Sequence, residues 1–171
     1  MKTIVIGLGN PILSDDGVGW KVAQKVSDQL SVTSDQSPID VEYASLGGLS
    51  LMERMVGFER AILIDALESG QGDALSELSK RPVGSVWVIP LEELPNPSAG
   101  HSASAHDASL LTALETGRQM GLPLPEEVHV VAIEAKQVYD FSEELSPAVA
   151  AAVPLAVQAV FEILATEKEP V

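Results

Sequence analysis

The stretch Thr3-Ile4-Val5-Ile6-Gly7-Leu8-Gly9-Asn10-Pro11-Ile12-Leu13-Ser14-Asp15-Asp16-Gly17-Val18-Gly19 holds the decision about the fold. Thr3 to Ile6 is a run of β-branched residues, which reads as a short strand that stops at Gly7. From Gly17 to Leu30 the apolar residues Val18, Val22, Val26 and Leu30 recur at four-residue steps, with Ala23 beside them. Lys21, Gln24, Lys25 and Asp28 fall on the opposite side, so this segment reads as a helix with one buried face. A strand, a long loop and a helix make the first half of a βαβ unit.

Working outward, the alternation repeats. Residues 31–38 are polar and end in Pro38, a loop, and 39–45 alternate as a strand should. Gly47-Gly48 turn the chain into a helix over 49–56. Ala61-Ile62-Leu63-Ile64 is a fully apolar strand that runs straight into Asp65. Residues 68–82 contain Gly70, Gly72 and Pro82 and read as an excursion with a helical turn at 73–80. A strand follows at 85–90, a polar loop at 92–105, a helix at 105–120 with Leu110, Leu111 and Leu114 inward, and a strand at 128–133. Ser146-Pro147 suit the N-cap and first-turn positions of a last helix. This order predicts an α/β three-layer sandwich: a twisted, mostly parallel sheet of about five strands with helices on both faces. We read residues 1–171 as a single domain.

Composition narrows the chemistry. Among 171 residues, 25 are acidic and 10 basic, a net charge of −15, and apart from Lys80-Arg81 the basic residues stand singly. Nucleic acid and anionic membrane surfaces both select for clustered Lys and Arg, so neither is an expected partner. With no Cys, disulfides, thiolate nucleophiles and thiolate metal sites are excluded together. The apolar run at the start is too short for a signal peptide, and 147–165 is Ala-rich and broken by Pro154, Gln158 and Glu162. It reads as a packed helix, and the expected location is the cytoplasm.

Open α/β sheets bind ligands outside the carboxyl ends of their strands, which says where to look. Gly7-x-Gly9 resembles the start of a dinucleotide fingerprint, but its third glycine would fall at Ile12. The loop instead ends in Asp15-Asp16 at a helix start. Capping, worth about 1 kcal/mol, explains one of the two well. Asp65, after its apolar strand, is either a cap or a functional carboxylate. Of three histidines, His129 reads as packed or surface and His101 as loop. His106 would lie in a helix's first turn, capped by Ser104, where a protonated imidazole is disfavoured and a neutral ligand fits better. Asp16, Asp65 and His106 thus form a candidate cluster of two oxygen donors and one nitrogen donor. That set suits zinc, nickel or iron(II) rather than magnesium or calcium.

At these residues the chain resembles the nickel–iron hydrogenase maturation proteases, the endopeptidases that trim the hydrogenase large subunit, and it does so over nearly its whole length. The motifs are the Gly7–Gly19 opening, Ile62-Leu63-Ile64-Asp65-Ala66, and Ser104-Ala105-His106 ahead of Leu110-Leu111. The resemblance implies that Asp16, Asp65 and His106 are metal ligands and catalytic residues. It implies a nickel-loaded [NiFe] hydrogenase large-subunit precursor as partner, cleaved at its C-terminal extension. The nickel would come with the substrate, with zinc or cadmium able to substitute in vitro, and a monomer is favoured. Gly7, Gly9, Asn10, Gly47 and Gly48 are the expected substrate-binding positions, with Asp15 as a supporting acid or a cap.

Two departures bear on the substrate side. Where many members carry Gly-Ile-Gln/Glu-Pro, this chain has Ala132-Ile133-Glu134-Ala135, and the usual Pro-Gly pair is split as Pro82-Val83-Gly84. Peptidyl-tRNA hydrolases share the strand and Gly-Leu-Gly-Asn-Pro opening, but their Thr-Arg-His-Asn segment is absent and the acidic charge opposes tRNA. A non-catalytic nickel-sensing assembly factor is the alternative of a different class.

Overall fold

Five β-rich segments of this chain can bury apolar side chains only by sharing a sheet, and in a computed structural model they do. The structure describes residues 1–32, 38–68, 81–93, 105–136 and 138–166, without the side chains of 105–109. Its elements are β1 (Thr3–Leu8), α1 (Val18–Val32), β2 (Ile39–Ala44), α2 (Gly48–Arg54), β3 (Arg60–Glu68), β4 (Val86–Pro90), α3 (Ala105–Gln119), β5 (Glu127–Ala135) and α4 (Pro147–Ala165). A 3-10 turn, Ser14–Gly17, precedes α1, and another, Leu91–Glu93, follows β4. Residues 69–80 of the excursion expected at 68–82, with its helical turn at 73–80, and 94–104 of the loop expected at 92–105 lie outside the described residues.

The strand order is β2-β1-β3-β5-β4, with β4 antiparallel to β5 and every other pair parallel. The three central strands carry continuous apolar runs because both of their faces are covered. Ile4, Ile6, Leu8, Leu63, Val130 and Ala132 face α2 and α3, where Leu51, Met55, Leu110 and Leu114 meet them. Val5, Ile62, Ile64, Val131 and Ile133 face α1 and α4. The reversed direction of β4 has no signature in Val86-Trp87-Val88-Ile89, an apolar run that serves either direction.

Helix α1 sits unusually close to the sheet. A Cβ on Gly7 would lie 2.4 Å from the Gly19 carbonyl oxygen, and one on Gly19 would lie 2.3 Å from Leu8 O and 2.4 Å from Ile64 O. Backbone meets backbone here, so neither position accepts a side chain. Helix α4 is long and apolar enough to cross a membrane by length and composition alone. It instead lays Val149, Ala152, Ala156, Val160 and Ile163 into the core shared with α1.

The far end of α4 is closed by Arg60, at the start of β3 and only 5% exposed. Its guanidinium donates to the carbonyls of Ile163 (2.8 Å), Thr166 (3.0 Å) and Leu164 (3.4 Å), and to Thr3 Oγ1 (3.3 Å). Burial pushes its pKa below the ordinary value, an effect that the charge of Glu127 opposes. A cation among the last carbonyls of a helix also complements the helix dipole.

Gly7→Ala is expected to lower the free energy of unfolding by about 2–3 kcal/mol, because a rigid carbonyl occupies the space the methyl needs. Gly121→Asn is expected to cost less than about 1 kcal/mol, since nothing lies within 4 Å of that Cβ although φ is 79°. Urea denaturation of both variants checks this, and equal stability would refute the packing argument.

Candidate functional site

After β1 the chain passes through α1 to β2, then returns through α2 across β1 to β3. The winding therefore reverses between β1 and β3, and the crevice at their carboxyl ends is the natural ligand position. The β1–β3 ladder runs from Thr3↔Arg60 to Gly7↔Ile64 and stops. Asp65 is the next residue of β3, and it is 7% exposed. The strand does not end at Ile64 as its apolar run suggests; it continues to Glu68, paired with β5 alone. Asp65 thus stands inside a strand, at the point where its neighbour on one side has departed. Its Oδ1 accepts the N–H of Ala66 at 2.9 Å.

Asp16 reaches the same end of the sheet from the loop after β1. It is half-buried, and its Oδ2 accepts the Asn10 N–H at 2.6 Å. Asn10 in turn uses its own Oδ1 to accept the Ile12 N–H at 3.2 Å, a local turn that folds the loop back. Gly9 is required there: φ is 109°, and a Cβ would collide with the Asp16 carbonyl oxygen, 1.9 Å away. The third lip of the crevice is tied in by Ser45, whose Oγ donates to Gly9 O at 2.7 Å. This holds Gly47, at the N-cap of α2, and Gly48, at a φ of 54°, beside the loop.

The expected substrate-binding glycines therefore divide. Gly7 is buried under α1, so its missing side chain serves helix packing rather than a peptide. Gly9, Asn10, Gly47 and Gly48 are half-buried at the crevice rim. Gly84 in the split Pro82-Val83-Gly84 turn also has an internal reason. Its φ is 86°, and a Cβ would lie 2.6 Å from Ala148 O.

Asp15 is a correction to the local capping argument. It is fully buried, and the turn it occupies has no side-chain cap. Its carboxylate instead accepts the backbone N–H of Ser146 at 2.7 Å and the Ser146 hydroxyl at 2.9 Å. Ser146 is the N-cap of α4, as its sequence predicts, but its hydroxyl donates to Asp15 rather than capping its own helix. Ser14, held at a φ of 47°, adds a bond from its Oγ to Glu144 O at 3.0 Å. The pair Asp15-Asp16 thus splits its work: one carboxylate grips another helix, and its neighbour turns toward the crevice.

His106 lies in the first turn of α3, on the side of the sheet that Asp65 faces, and its side chain is outside the described residues. His101 and Ser104 also lie outside them. Among the described residues no three His, Asp or Glu side chains stand in metal-binding geometry. His129 is half-buried at the start of β5, with Nε2 3.9 Å from Glu127. Register sets it three residues before Ala132, the partner of Asp65, and so away from the crevice. Glu134, 3% exposed, was not singled out as a candidate by sequence. It follows Ala132 by two residues, so it shares a sheet face with Asp65 and α3. The available signal was an acid inside a strand that is otherwise apolar from Val130 to Ala135.

The family described as HycI, hydrogenase maturation protease, matches residues 25–163. The chain belongs to that family. The matched stretch includes Asp65 and His106 and begins beyond Asp16. Among solved structures, hydrogenase maturating endopeptidase HybD from E. coli superposes with a TM-score of 0.74 at 20% identity, over 96% of this chain and 92% of that one. The [NiFe] hydrogenase maturation protease HybD from Thermococcus kodakarensis gives 0.66 at 26% identity, over 97% and 100%. The hydrogenase 2 maturation peptidase from a Thaumarchaeota archaeon gives 0.58 at 27% identity, over 98% and 100%. No curated protein matches the chain by sequence.

In this maturation protease the Asp15–Ser146 clamp sets the turn that carries Asp16. Asp15→Ala is expected to cost about 2–4 kcal/mol, because two bonds to a buried charge are lost and a half-buried N–H loses its acceptor. Ser146→Ala, which keeps the backbone bond, should cost about 1 kcal/mol. A denaturation double-mutant cycle checks the pair, and additive losses would remove the clamp from the account.

Proposed function

We propose that this protein is the endopeptidase that removes the C-terminal extension of a nickel-loaded [NiFe] hydrogenase large-subunit precursor, with Asp16, Asp65 and His106 meeting the nickel that the precursor brings. The supporting observation is the arrival of two carboxylates at the β1/β3 reversal by independent routes, Asp16 from the loop after β1 and Asp65 from β3. Family membership supports hydrogenase precursors as the substrates.

The donor set fits the cargo. Two carboxylates and a neutral imidazole carry two negative charges, which balance a divalent cation, and the oxygen and nitrogen donors suit nickel. Asp65 is nearly buried, so its attraction for a cation is little screened by water. The Asn10 N–H holds Asp16 in one orientation before the precursor arrives, which lowers the cost of ordering on binding. The bound nickel would supply a Lewis acid for the scissile carbonyl. Asp16, the more exposed carboxylate, is the one with access to solvent water, while Asp65 serves as the fixed, desolvated donor. The rim of Gly9, Asn10, Gly47 and Gly48 offers backbone to an extended peptide. We place the reaction in the cytoplasm, carried out by a monomer.

Incubation with a purified nickel-loaded precursor should shorten it, as read by mass spectrometry, while nickel-free precursor stays intact. Asp16→Ala, Asp65→Ala and His106→Ala should each lower processing by at least about a hundredfold and weaken nickel binding in calorimetry. Replacing His129 or His101 should change it little. An intact loaded precursor would move the protein to a nickel-sensing assembly role without cleavage.

A further inference from the structure

Beside the carboxylate-bearing loop stands an apolar patch that the reaction as described does not use. Phe141 is 86% exposed, Tyr139 70% and Ile12 47%. The chain has only seven aromatic residues, and two of them stand in solvent within one short loop. That loop is anchored. Val138 is buried and Leu145 packs in the α1/α4 core, while Ser14 bonds Glu144 and Asp15 bonds Ser146. Exposure here is therefore held in place by the fold, and such a patch marks an interaction site.

The patch is continuous with the site. Ser142 N–H donates to Ile12 O at 3.0 Å, Ser14 N–H donates to Ser142 O at 2.7 Å, and Leu13 and Ser142 form a parallel bridge. That register sets Ile12 beside Phe141, four residues ahead of Asp16. Around the patch, among the described residues of this loop, Asp140, Glu143 and Glu144 are exposed acids and Lys136 is the one exposed cation. The surface is thus an aromatic centre with an acidic rim.

We propose that Ile12, Tyr139 and Phe141 form the docking surface for the precursor, taking an apolar segment of it flanked by basic side chains. This rests on the function proposed above. A substrate that lays its nickel against Asp16 must cover the ribbon formed by 11–14 and 141–144, because one hydrogen-bonded unit carries both. Aromatic anchors inside a polar rim carry most of the energy in interfaces of this kind. The acidic rim steers a basic flank and rejects an acidic one.

Cleavage kinetics with the nickel-loaded precursor test this. Ile12→Ser with Phe141→Ser should raise KM roughly tenfold or more while kcat stays within about twofold. Ile12 with Phe141→Trp should keep KM near wild type. Melting temperatures should not move, since these side chains stand in solvent. Asp140→Lys with Glu143→Lys should also raise KM, and added salt should weaken wild-type binding. If wild type cleaves and the Ser pair shows an unchanged KM, the docking surface is refuted and the proposed function stands. If wild type does not cleave, the proposed function falls, and calorimetric binding of the precursor to wild type and the Ser pair still decides the surface. A wild-type dimer in sedimentation that dissociates with Phe141→Ser would assign the patch to a second copy and overturn the proposal.

Discussion

The rest of this structure depends on a contact without side chains. Gly19 in the first turn of α1 lies directly over the carbonyls of Leu8 and Ile64, and Gly7 lies under Gly19. With helix and sheet that close, residues 9–17 must arch over the carboxyl ends of β1 and β3 to join them. Asp16 is at the crevice because the arch is short and its end is pinned. A larger residue at either glycine would lift α1 and carry Asp16 away with it.

The two ends of α4 repeat one electrostatic theme with opposite signs. A buried acid, Asp15, accepts from the first residue before the helix, and a buried cation, Arg60, donates to its last carbonyls. Each charge sits where the helix dipole favours it, and each has its hydrogen bonds made, which is the condition for burying a charge. Both groups also belong to the crevice strands or their loops: Arg60 opens β3, which carries Asp65, and Asp15 adjoins Asp16. Helix α4 is in this way bound to the segments that begin the site.

The element order, the covered sheet and the packed last helix were legible because each rests on local periodicity. Val18, Val22, Ala23 and Val26 share one surface on a helix but not on a strand, and Ile62-Leu63-Ile64 suits a strand covered on both faces. Asp65 stands out for a related reason, as an acid directly after an apolar run, and Asp16 as the second of two adjacent acids at a helix start. Less was legible where one signal had two meanings. Asp15 reads locally as a cap for the helix beside it and is bonded to the N-cap residue of another, 131 residues away. Gly7 looked like room for a peptide and is room for α1. Glu134 passed as a motif variant because nothing local says which face of β5 it shares.

By itself the sequence determined the α/β alternation and the buried strands, offered Asp16 and Asp65 as candidate carboxylates, and, having no Cys, left no thiolate donor. Those follow from side-chain period, apolar run length and the lack of Cys, all properties of neighbours along the chain. Only the tertiary structure decided that β4 runs antiparallel, that β3 outlasts its β1 partner at Asp65, that Asp15 grips α4, and that Ile12 and Phe141 share one exposed ribbon. Each of these joins residues far apart in the chain. Their bonds form only when packing brings the segments together, so no local pattern records them.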